Sequence, residues 1–243
     1  MKIFDIDSPL MQGLGKMADL MILNLIALAC CIPIFTIGAS ITALYYMALK
    51  IVRNEEVYII KGFLKSFKQN FKQATIIWLI QIVVMAILAL DYKIMYGSAE
   101  NTPNTVLQVV WLAGAVIALI TFVFIYPVLS KFDNNLKNTF KNTMLMAIMQ
   151  MPKVILMVVL WAIPILVGIF VFQLFPLVFL FGMSLPAVGS AWLYNKFFKK
   201  MEDKMLERAR ELGEAPEEPG SEDEHIFSDT LDPALDDSKK KPQ

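Results

Sequence analysis

The sequence predicts an all-α protein, a polytopic transmembrane helical bundle of six helices with five as the alternative, carrying basic amphipathic helices at the membrane interface. Three observations lead there. The 243 residues are 57% apolar and 18% charged, with a mean hydropathy of +0.57, whereas soluble domains are about 45–50% apolar and about 25% charged. Apolar runs of about 18 residues, enough to cross a hydrocarbon layer about 30 Å thick, recur along the chain. Finally, Lys and Arg collect in alternate loops, the pattern of a multi-pass protein.

Taken in order, four runs are clear: Met17 to Phe35, Thr75 to Leu90, Val106 to Leu129 and Val154 to Phe172. Two more are shorter or broken, Ala39 to Val52 and Leu174 to Leu193, the latter interrupted by Pro176, Gly182, Pro186 and Gly189. The basic stretches 50–72, 131–153 and 196–204 are expected in the cytoplasm and 91–105 outside, which puts the C-terminus inside. If the chain turns at Pro33 to Gly38, the first run is a hairpin and the count is six; one long kinked or re-entrant helix would put the N-terminus outside and give five. Pro33, Gly38, Ala39 and Ser40 are the candidate structural turn or re-entrant element, because Pro33 removes a helix donor and the small residues let another helix approach.

An internal repeat at an offset of 69 aligns Ser66 to Gln73 with Asn135 to Asn142. Both pair large apolar residues with lysines at four-residue spacing. They read as amphipathic helices, with Phe67, Phe71 and Phe140 dipping into lipid while Lys61, Lys65, Lys68, Lys72, Lys137 and Lys141 reach anionic headgroups or a partner. A weaker echo joins Leu44 to Lys50, Ile125 to Lys131 and Trp192 to Lys196. It suggests three helical hairpins around a common centre, although Tyr and Lys collect at cytoplasmic helix ends in any case.

Residues 1–195 hold 13 Lys/Arg against 8 Asp/Glu, and residues 196–243 hold 9 against 14. The chain thus divides into a transmembrane domain (1–198), a charged cytoplasmic helix (199–213) expected to be solvated, and an acidic tail (214–243) with four prolines that is expected to be disordered.

Composition also narrows the chemistry. The single histidine, His225, lies in the acidic tail, Cys30 and Cys31 are adjacent within an apolar run, and no phosphate-cradling glycine loop occurs. No catalytic, cofactor or metal residue is assigned, and neither an enzyme nor a nucleic-acid partner is expected.

Asn24-Leu25, the run Cys31 to Ser40, Thr42 to Tyr46 and the basic stretch Phe67 to Ala74 together resemble the YesL-like family of bacterial membrane proteins of uncharacterised function. The likeness is most specific over Asn24 to Leu79 and looser to about Lys199. It implies a small multi-pass protein of the plasma membrane in Gram-positive bacteria, in a family often encoded beside sugar-uptake genes, and it supplies no catalytic residues. The expected role is an accessory or assembly factor for carbohydrate uptake or sensing, with an ABC sugar transporter or membrane sensor as partner. The alternative is a small-solute transporter in its own right.

Overall fold

The computed structural model describes residues 9–55, 58–96, 104–132 and 135–211, and the described residues form helices joined by short turns, with no strand among them. Helix α1 (Pro9–Cys31) passes through a 3₁₀ turn (Ile34–Thr36) into α2 (Ile37–Arg53). Next come α3 (Ile59–Tyr96), α4 (Thr105–Lys131), α5 (Leu136–Met149) and α6 (Met151–Phe170). A second 3₁₀ turn (Phe172–Leu174) leads to α7 (Phe175–Phe181), and α8 (Ser184–Glu211) completes the order. Five segments are long and apolar enough to cross a membrane; the α7–α8 pair, bent by 51°, is the sixth if it counts as one span. The chain is therefore an all-α protein of multi-pass membrane character.

The first two helices are a hairpin, so the single kinked helix is set aside. In a continuous helix, residues 27 and 40 would lie about 20 Å apart, yet the Ser40 hydroxyl donates to the Ala27 carbonyl at 2.8 Å. At the far end of the pair the Lys16 ammonium donates to Asn54 at 2.9 Å. Asn54 caps α2 in the left-handed region (φ 54°), a conformation asparagine tolerates better than most side chains.

Helix α2 is the centre of the bundle and packs against α1, α3, α4 and α8. Its Gly38, Ala39, Ser40, Thr42 and Ala43 are all buried, since small side chains let neighbouring backbones come close. A Cβ on Gly38 would sit 2.5 Å from the Ala74 carbonyl oxygen and 2.7 Å from Trp78 Cβ, so glycine is required where α2 crosses α3.

Several expected boundaries move. The basic stretch 61–72 is not a separate interfacial helix, because it forms the first turns of the 38-residue α3; nothing in Phe71 to Trp78 breaks the helix. Its counterpart is the separate helix α5. Phe67, Phe71 and Phe140 do not simply face lipid, since each is partly buried against the core; an apolar stripe looks the same in sequence whether it meets lipid or protein. Of the four expected interruptions in 174–193, Gly182 lies in the α7–α8 break and Pro176 in the first turn of α7, while Pro186 and Gly189 lie inside α8. No break separates residue 198 from 199, and Met201 and Met205 of the charged segment pack against the core, so that segment is solvated on one side only. The acidic tail from residue 212 lies outside the described residues.

Candidate functional site at the basic end of the bundle

The second helices of three hairpins, α2, α4 and α8, each bury one tyrosine: Tyr45, Tyr126 and Tyr194. These are the tyrosines of the weak sequence echo, and all three are 1% exposed or less, so they are core residues and not headgroup anchors. Tyr45 links two hairpins. Its ring centroid lies 6.1 Å from Trp161 and 6.3 Å from Tyr194, and its hydroxyl accepts from Trp161 Nε1 at 2.6 Å. The Tyr126 hydroxyl donates to the Gln81 side-chain oxygen on α3. Between these groups a cleft of about 270 Å³ runs among α2, α4 and α6, with Tyr45, Phe122, Tyr126 and Trp161 in its wall.

Beyond the tyrosines, the C-terminal ends of α2 and α4 meet the middle of α8 in a charge clamp. The Arg53 guanidinium donates to both oxygens of Glu202 at 2.8 and 3.2 Å, and its Nε donates to Asn195 at 3.0 Å. Lys131, at the end of α4, brings its ammonium within 3.9 Å of the same carboxylate. One carboxylate of α8 thus fastens α2 and α4 in an arrangement suited to a planar, bidentate arginine. The sequence reading missed this clamp, because Glu202 sits in a run of alternating charges. The available signal was Arg53, the one arginine before residue 208.

On the other side of the bundle, Asn24 of α1 is fully buried and repairs the break between α7 and α8. Its oxygen accepts from the backbone N–H of Met183 at 2.8 Å and of Ser184 at 3.0 Å, and its amide nitrogen donates to the Phe179 carbonyl at 2.8 Å. A broken helix in hydrocarbon leaves backbone groups that water cannot reach. Here one asparagine side chain supplies the missing partners.

The sequence-predicted residues fall into two sets. Pro33 is exposed at the α1–α2 turn, while Gly38, Ala39 and Ser40 are buried just after it, and Thr36 and Trp78 join them in holding the turn. Lys61, Lys65, Lys68 and Lys72 are all exposed and share one face of α3. The buried residues Phe63, Ser66, Asn70 and Ala74 occupy the opposite face. Lys137 and Lys141 are exposed on α5. The repeat halves touch where Gln73 donates to Thr139 at 3.0 Å. Among the described residues no cluster of His, Cys, Asp and Glu has the geometry of a metal site.

The profile of a family described as a protein of unknown function, DUF624, matches residues 20–92. That stretch holds Asn24, the α1–α2 turn, Gly38, the α3 lysines, Trp78 and Gln81, and stops before α4. No curated protein and no solved structure matches the chain.

Proposed function

We propose that the chain is a non-enzymatic accessory or assembly protein of the plasma membrane, of the YesL-like kind its first hairpin and basic stretch resemble, working beside a carbohydrate uptake or sensing system such as an ABC sugar transporter. The observation that carries this reading is how the polar side chains within the apolar helices are used. Asn24 serves the α7–α8 break, Thr36 and Ser40 bond the α1–α2 turn, and Gln81 and Tyr126 bond each other. Broken helices in transporters leave half-helix ends to bind substrate or ions; here Asn24 takes that place, and the side-chain bonds of Thr36, Ser40 and Tyr126 likewise serve the bundle's own architecture. A protein of this kind acts through its surfaces. In this reading the clamp, the exposed lysines and the C-terminal segment face the cytoplasm, with anionic lipid or an acidic partner against Lys61, Lys65, Lys68, Lys72, Lys137 and Lys141.

The second reading, a small-solute transporter, is favoured by the aromatic cleft among α2, α4 and α6. Purification from the native host in mild detergent, with mass spectrometry of what stays bound, separates the two. Stoichiometric recovery of transporter subunits supports the accessory reading. Recovery of the chain alone, together with sugar flux in liposomes that is lost in Tyr45→Ala, overturns it in favour of transport.

A further inference from the structure

We infer that the α1–α2 hairpin is re-entrant: it enters and leaves by one membrane face, and its Ile32-Pro33-Ile34-Phe35 turn ends inside the hydrocarbon, with lipid chains as the partner of its surface.

Depth is the first argument. The Lys16–Asn54 contact sets the two open ends of the hairpin at one level. Just past the turn, Gly38 packs against Ala74 and Trp78, so the turn lies beside the middle of the 38-residue α3 and not at either of its ends.

The chemistry of the turn agrees. A helical turn that emerges into water carries polar side chains and leaves its free carbonyls to the solvent. This one does the reverse. Ile32 is 81% exposed, Ile34 68% and Phe35 53%, while four carbonyls near them are bonded by side chains or backbone of the protein. The Ala27 oxygen accepts from Ser40 and the Cys30 oxygen from the Thr36 hydroxyl at 2.6 Å. The Pro33 oxygen accepts from the Thr36 backbone and side chain, and the Ile34 oxygen from Trp78 Nε1 at 2.8 Å. Irregular backbone survives at membrane depth only when its polar groups are satisfied by protein or water, and here protein satisfies these four carbonyls while apolar side chains point outward.

The neighbouring helices continue past the turn. Trp78, which holds the Ile34 carbonyl, lies 18 positions before the end of α3 at Tyr96, about 27 Å along the helix. Over that length Val83, Met85, Ile87, Leu90 and Ile94 of α3 are exposed and apolar. At its end Tyr92 meets Tyr96 and, with 5.6 Å between ring centroids, Trp111 of α4, an aromatic group of the kind that marks a membrane surface. Raising the turn to that surface would push this apolar arm into water.

The test is depth at the turn. In a Cys30→Ser/Cys31→Ser background, Ile32→Cys and Phe35→Cys are treated with a membrane-impermeant maleimide in vesicles of both orientations. The reference in each orientation is whichever of Asn104→Cys and Tyr58→Cys faces the reagent. All four positions are exposed, so the variants keep the packing intact, and co-elution with the parent on size exclusion verifies it. The turn cysteines should react more than tenfold more slowly than the reference in both orientations. Spin labels placed there should collide more with oxygen than with a water-soluble nickel chelate. Labelling within tenfold of the reference in either orientation, or preferential collision with nickel, overturns the proposal.

Discussion

Helix α2 and the outer halves of α3 and α4 reverse the rule by which soluble proteins are read. The α2 segment is the least apolar of this group, yet most of it is buried; α3 and α4 are more apolar and mostly exposed along their apolar stretches. In water the most apolar helix would be innermost. In a membrane, lipid accepts apolar surface as readily as protein does, so the interior goes to small residues that pack closely and polar ones that bond. Gly38, Ser40, Thr42, Asn24 and Gln81 are inside, and Val83, Leu90, Val106 and Leu112 are outside.

The sharpest way to break this contrast is to put the same bulk in both regions. Gly38→Leu drives a side chain into the Ala74 backbone and should cost about 3 kcal/mol or more, since overpacking a tight site costs about 1–3 kcal/mol and backbone cannot yield easily. At Gly114 in the α3–α4 arm an added Cβ meets only Leu88 Cδ2, at 3.8 Å, so Gly114→Leu should change stability by less than about 0.5 kcal/mol. Thermal unfolding in detergent, followed by the loss of the monodisperse peak, reads both. Equal midpoints would show that the inner and outer regions are not distinct in packing.

Glu202→Ala should rank next. It leaves Arg53, whose side chain is 9% exposed, without its two charge-assisted bonds, for a loss of about 2–3 kcal/mol. Glu207→Ala, on the exposed side of α8, is the control and should be near neutral. If the two variants unfold together, the clamp contributes nothing to the bundle.

Much of the fold was legible because span length and loop charge are crude, strong signals. The runs beginning near Met17, Thr75, Val106 and Val154 became helices, and Pro33 marked a true reversal. Side-chain roles were less legible, for one physical reason. In an apolar helix, the periodicity that separates core from solvent in a soluble protein disappears, so sequence alone cannot say that Tyr45 is buried while Trp192 is 71% exposed. Pairings across the chain, Asn24 with Ser184 or Arg53 with Glu202, carry no local signature at all. Gly38 was found because small residues beside a proline have few uses other than a close approach.

A smaller effect is expected at Asn24. Its three hydrogen bonds lie in an apolar surrounding, where single bonds average about 0.6 kcal/mol, so Asn24→Leu should lose about 2 kcal/mol. Hydrogen exchange should then rise first around residues 179–184, whose backbone groups lose their partners, while the Tyr92–Trp111 end of the arm stays unchanged. Uniform acceleration across the bundle would mean that Asn24 acts as general packing and not as the repair of one break.

The smallest expected effect concerns the lysine face of α3, and it extends the contrast to the surface. Lys72 lies about 30 Å along the helix from Tyr92, so the two residues bracket one hydrocarbon thickness, with a basic boundary at one end and an aromatic one at the other. Lysines at an anionic surface contribute about 1 kcal/mol each, screened by salt. Lys72→Gln should therefore lower the unfolding midpoint in phosphatidylglycerol nanodiscs at low ionic strength, by the equivalent of about 1 kcal/mol, and leave it unchanged in phosphatidylcholine. Lys93→Gln, at the aromatic end, tests whether the two boundaries differ. Anionic lipid in both leaflets offers the same headgroup to either lysine, so a matching loss at Lys93 would make the response a general charge effect. A loss confined to Lys72 ties it to the face opposite Phe63 and Ser66, where the helix is held against the core and its lysines are fixed at the lipid boundary.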